Sequence, residues 1–135
     1  MKILDTTFIF DLLRGIPEAV RKAEELDEGR EAVTTAISVY ELFFGLFSSE
    51  AANKKRRMLE AERFFSRLEV LPLNYEAAKL AGEILSGLSN EGKLIDVMDG
   101  MIGAIGLKAA GNDVDIVTRN RAHFKSIKGI KIINY

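Results

Sequence analysis

Cysteine is absent from the 135 residues and histidine occurs once. The first absence removes disulfides, thiolate zinc centres, iron–sulfur clusters and cysteine nucleophiles; the second removes any multi-histidine metal centre. Carboxylates are the only metal ligands left in number. No run approaches the roughly 18 apolar residues of a membrane span. Asp5 interrupts the opening MKILDTTFIFDLLRG too early for a signal-peptide core, so a cytoplasmic protein is expected. With two prolines, 47% hydrophobic and 29% charged residues, the chain is neither disordered nor collagen-like nor mucin-like. Its length fits one domain, 1–135.

Neither charge sign dominates: the net of −1 argues against a generic nucleic-acid coat. The distribution is uneven. Residues 116–135 carry Arg119, Arg121, Lys125, Lys128 and Lys131 with no acid, and fourteen bases against twenty acids leave residues 1–115 at −6.

Lys2-Ile3-Leu4 reads as a short buried strand running into Asp5, with Thr6-Thr7 as the cap of a helix ending near Gly15. A charged helix from Pro17 to about Glu28 precedes the strand Ala32–Thr35. Ser38 then caps a helix from Val39 to Phe47, with Glu41 at capping-box spacing. Helices follow over Asn53–Leu68, Asn74–Leu88 and Asp96–Ala110, with strands at Val70-Leu71, Ile116-Val117 and Ile130–Ile132 and a short turn from Arg121 to Phe124. Strands alternating with helices imply an α/β fold: a short, twisted parallel sheet flanked by helices on both faces.

Ligands in such sheets bind outside the carboxyl ends of the strands, where Asp5 falls. An acid there also caps a helix, so position alone leaves both roles open. On the helix after Ser38, Val39, Leu42, Phe43 and Leu46 form one apolar stripe, and Tyr40, Phe44 and Phe47 a second. Burial against a neighbouring helix is the default for the second stripe. Glu41 lies on the remaining edge, above Gly45 one turn on. Asp96 and Asp99 share one helix face near its N-terminus, where the helix dipole favours either acid alone. Gly100, Gly103 and Gly106 each cost that helix about 1 kcal/mol relative to alanine. Close packing on the sheet explains part of this; space cleared beside Asp96 and Asp99, as Gly45 clears it beside Glu41, is the other reading.

With ILDTTFIFDLLRG, TTAISVYELFFGL, GKLIDVMDGMIGAIGL, IVTRNRAHF and GIKIINY in this order, the whole chain resembles the PIN-domain ribonucleases, and among them the VapC-type toxins of toxin–antitoxin pairs. The resemblance implies a compact PIN-like α/β domain and a metal-dependent endoribonuclease leaving 3′-hydroxyl and 5′-phosphate ends. It also implies a cognate antitoxin as partner and metal-binding acids at Asp5, Glu41 and Asp99. The family's fourth acidic position is best matched by Asn120, an amide and a weaker ligand; Asp96 is the alternative source of charge. A homodimer surface, or a groove for an antitoxin helix, becomes an option for the Tyr40, Phe44, Phe47 stripe.

Converging carboxylates repel one another unless a cation joins them, and all-oxygen ligands in an open site select Mg²⁺ or Mn²⁺. Such ions polarise a phosphodiester and lower the pKa of a water for in-line attack, two ions about 4 Å apart sharing the work. Thr6 and Thr118 adjoin the expected site. Arg119, Arg121 and Lys125 offer phosphate-steering charge beside an acidic pocket that otherwise repels RNA. His123, beside Phe124, reads as packing or a surface donor and not as a base. The Lys54–Arg57 run reads as a solvated helix face. A phosphatase of the haloacid dehalogenase type needs a second acid two residues after Asp5, where Thr7 stands, and a receiver domain fits the spacing poorly. A degenerate PIN module that binds RNA or a partner without cutting is the remaining alternative.

Overall fold

A computed structural model describes residues 1–29 and 31–135. Its centre is a five-stranded, wholly parallel sheet ordered β3-β2-β1-β4-β5. The strands are β1 (Lys2–Leu4), β2 (Ala32–Thr35), β3 (Glu69–Leu71), β4 (Val114–Val117) and β5 (Ile130–Ile133). Period-two alternation sends Ile3 and Ile116 to one face and Leu4 and Val117 to the other, seeding two cores. On the first face, α5 (Tyr75–Asn90), α6 (Val97–Ala110) and the short α7 (Arg121–Phe124) contribute Ala77, Leu88, Ile102, Ile105 and Phe124. On the second, α1 (Thr6–Leu13), α2 (Pro17–Gly29), α3 (Ala36–Ser48) and α4 (Lys54–Phe65) contribute Phe8, Ile9, Ala19, Leu26, Leu42, Leu46 and Ala61. The expected α/β sheet with both faces covered is the fold observed.

From β1 the chain steps outward to β2 and β3, then returns to the other side of β1 for β4 and β5. The order therefore reverses between β1 and β4, and ligand crevices of open parallel sheets form at the carboxyl ends of such a pair. Asp5 and Thr118 are the residues that follow those two strands.

Four local expectations are corrected. The cap of α1 is Asp5, whose side chain accepts from the Thr7 amide, and not Thr6-Thr7. The cap of α3 is Thr35, whose Oγ1 accepts from the Ser38 amide at 3.2 Å. Ser38 is thus inside the helix and buried, and no capping box forms with Glu41. The glycines clear no space beside acids. A Cβ at Gly45 would meet Phe10, at Gly100 Leu85, at Gly103 Ile127 and Ile130, and at Gly106 Ile3. Close packing of α3 on α1, and of α6 on the sheet and on its neighbours, fills those positions with side chains from other elements. The Asn53–Leu68 helix is also shorter than expected, ending at Phe65.

Candidate active site

Asp5 is 1% exposed, and its two oxygens differ. Oδ2 accepts from Thr118 Oγ1 at 2.7 Å and Thr7 Oγ1 at 2.9 Å. Oδ1 is buried with no hydrogen-bond partner among the described residues. A buried acceptor left unmatched costs the full desolvation of that group, so this oxygen is an orphaned acceptor of the kind that a cation or donor satisfies.

Glu41, two turns into α3, accepts from Thr6 Oγ1 at 2.8 Å, so the residue after Asp5 reaches the second acid. Burial raises the Glu41 pKa above its ordinary value; the Thr6 bond opposes this, and the charges of Asp5, Asp99 and Asp96 add to it. Asp99, in the first turn of α6, is 7% exposed. Burial pushes its carboxyl up to about 6, with Asp5 and Asp96 adding to the rise and His123 opposing it. Asp99 Oδ2 accepts from the Asn120 amide at 2.8 Å and bonds His123 Nδ1. Thr118 Oγ1, in turn, accepts from the Asn120 backbone at 2.9 Å. Asp5, Thr118, Asn120 and Asp99 are thereby one hydrogen-bonded chain across the crevice between β1 and β4.

Asp96 is exposed and caps α6, its Oδ1 accepting from the Met98 amide at 2.8 Å. Asn120, through its amide nitrogen, donates to Asp99 and so orients that acid. Arg119 is exposed, and its backbone N–H donates to Thr7 Oγ1 at 3.2 Å. Arg121 and Lys125 stand exposed at the two ends of α7, with no acid paired to either among the described residues.

The sequence matches the PIN domain over residues 2–130. The chain belongs to the PIN-domain family. It is 32% identical to the tRNA(fMet)-specific endonuclease VapC of Salmonella typhimurium, over 96% of this chain and 94% of that protein. It is 31% identical to ribonuclease VapC19 of Mycobacterium tuberculosis over 92% of each. The crystal structure of DNA-bound VapBC from Salmonella typhimurium matches with a TM-score of 0.83 at 31% identity, covering 98% of this chain and 96% of that one. These likenesses set this PIN domain among the VapC proteins.

Among the described residues, no three Asp, Glu or His side chains of this PIN domain form a ready-made cation cage. A hard, hydrated ion does not need one. Mg²⁺ keeps several waters and takes one or two carboxylates together with substrate phosphates. The unmatched Asp5 Oδ1, and two further acids raised by burial and by the charges of Asp5 and Asp96, suit that requirement. His123, read from the sequence as packing or a surface donor, meets Asp99 at this site. The signal for it was slight: one histidine three residues after Asn120, on the same turn of chain. Asp11 was not singled out at all, yet it is buried and lies 2.9 Å from the Arg119 guanidinium. The Tyr40, Phe44, Phe47 stripe is not buried by a neighbouring helix: the three are 51%, 60% and 65% exposed. No helix among the described residues is long and apolar enough to cross a membrane.

Proposed function

We propose that this chain is a divalent-metal-dependent endoribonuclease and the toxin of a toxin–antitoxin pair. Asp5, Glu41 and Asp99 would hold Mg²⁺ or Mn²⁺, with Asp96 adding negative charge. The observation that carries the reading is the buried, unpartnered Asp5 Oδ1 at the crevice where the sheet order reverses, among acids whose charges help to raise the pKa values of Glu41 and Asp99. The VapC names of relatives above 30% identity support the same substrate class.

When bound, the ion supplies Lewis-acid polarisation of the phosphodiester and a water of lowered pKa. The protein's own work is positional. Thr7 and Thr118 lock Asp5 Oδ2 so that Oδ1 stays free, Thr6 turns Glu41 inward, and Asn120 with His123 orients Asp99. Arg119, Arg121 and Lys125 would draw the phosphate backbone towards a pocket whose own charge repels it. The exposed aromatic face of α3 is the candidate contact for a second copy or for the antitoxin.

Purified protein incubated with bulk tRNA and a single-stranded RNA tests this. Cleavage with Mn²⁺ or Mg²⁺ is expected, stopping with EDTA and in Asp5→Asn and Asp99→Asn, each still folded by circular dichroism. Cleavage that survives chelation, or full activity in either variant, would overturn the site. RNA binding without cleavage under every metal would favour the degenerate module.

A further inference from the structure

Arg119 is held at both ends. Its backbone N–H donates to Thr7 Oγ1 at 3.2 Å, and its Nη1 lies 2.9 Å from Asp11 Oδ2. Thr7 and Asp11 are one turn apart on α1, so a single helix face grips both the main chain and the side chain of this arginine. Asp11 is 3% exposed and would be an expensive buried charge if left alone. Tyr135, two residues beyond β5, donates its hydroxyl to the same Oδ2 at 2.8 Å. Its ring packs edge-on against Phe8 at 4.9 Å between centroids. Burial, with the bond to Asp11, pushes the Tyr135 hydroxyl above the ordinary tyrosine value, which keeps it a donor.

The arginine so fixed stands between Thr118, which bonds Asp5, and Asn120, which bonds Asp99. Its side chain nevertheless remains 62% exposed. A guanidinium has five donors in a rigid fork. One edge turned to Asp11 leaves others open to solvent, on a residue whose two chain neighbours bond the acids.

We propose that Asp11 and Tyr135 are positioning residues that hold the Arg119 guanidinium as a fixed clamp for a phosphate of bound RNA, at the rim of the acidic site. The proposal rests on the nuclease reading above. A loose surface arginine would lose side-chain freedom on gripping a phosphate; one already anchored in its binding orientation loses less. The buried Asp11 therefore acts through Arg119 and not on the RNA itself.

The test uses a fluorescein-labelled single-stranded RNA, its affinity measured by anisotropy in EDTA and its cleavage kinetics in Mn²⁺ over a series of salt concentrations. Arg119→Ala should weaken RNA affinity about tenfold and reduce the slope of log affinity against log salt by about 0.7, the signature of one lost phosphate contact on a single strand. Asp11→Asn and Tyr135→Phe should raise KM several-fold with kcat within about twofold. Neither should have further effect in an Arg119→Ala background, the non-additivity expected of residues acting through one group. Arg119→Lys, with the charge but not the fork, should restore the salt slope and not KM. Tyr135→Phe removes only a hydroxyl and serves if Asp11→Asn folds poorly in thermal melts. Unchanged KM and affinity in both Asp11→Asn and Tyr135→Phe, or effects that add to Arg119→Ala, would overturn the clamp while cleavage by the unaltered chain keeps the nuclease reading. An unaltered chain that neither binds nor cleaves RNA overturns both.

Discussion

Removing the Asp99 charge should flatten the pH dependence of stability of the metal-free protein. The folded value of about 6 lies above the ordinary 3.8, so the folded state holds this proton more tightly than the unfolded chain does. That contribution is fully present below the unfolded value and is lost as pH rises through about 6. Asp99→Asn mimics the protonated form. In chelator, the variant and the unaltered protein should melt together near pH 4, and the variant should melt higher at pH 7. A gap that does not change with pH would show that the Asp99 carboxyl is not the group responsible. Legibility at this scale followed distance along the chain. Asp5 was readable because a strand end next to an acid is a local pattern. The Asp11–Tyr135 bond joins residues 124 positions apart, and nothing in either neighbourhood announces it. The partner of His123 was hidden for a related reason: a lone histidine says nothing about the acid it will meet, and Asp99 comes from another element.

Helices α5 and α6 make opposite use of glycine, and the same substitution should have opposite effects in them. At Gly106 a Cβ would collide with Ile3, so Gly106→Ala is expected to destabilise by about 1 kcal/mol, overpacking outweighing the better helix propensity. Gly82 in α5 has nothing within 4 Å of that position, so Gly82→Ala should stabilise by about 0.5–1 kcal/mol. Urea titrations of both variants check the pair; stabilisation by Gly106→Ala would mean that α6 does not sit as closely on the sheet as described. Thr35→Ala should cost about 1 kcal/mol through the lost cap of α3, and a shift below about 0.3 kcal/mol would count against that bond. Elements themselves were legible, since alternation and helical periodicity survive in a single sequence. Their junctions were less so. In TTAIS, two threonines and a serine are all competent caps, and the choice fell to Thr35 because β2 continues through it in register with Leu71 of β3. The glycine spacing misled because helical geometry shows which residues share a face but not which side chain from elsewhere fills the gap.

At the scale of the whole molecule, the unburied feature of most consequence is the second face of α3. Aromatic side chains carry roughly 150–250 Å² each, so Tyr40, Phe44 and Phe47, each more than half exposed, leave on the order of 300–400 Å² of largely apolar surface in one patch. That is at the size where such patches mark interaction sites on soluble proteins. A stable interface buries about 800 Å² on each partner, so the three rings would supply close to half of one side. Self-association at micromolar concentration is the expected result for the isolated chain, with sedimentation at twice the 15.0 kDa chain mass. Replacing Phe44 and Phe47 together by serine should yield a monomer. Because neither ring belongs to the two buried cores, the thermal stability of the monomer should stay within about 0.5 kcal/mol of that expected for a surface change. Its metal-dependent cleavage of RNA should also persist, since the acids project from other faces and no residue of the crevice comes from α3 except Glu41. If the unaltered chain sediments as a monomer at tens of micromolar, the patch is not a self-association surface. If the serine variant loses cleavage while keeping its fold, then α3 reaches the site through more than Glu41.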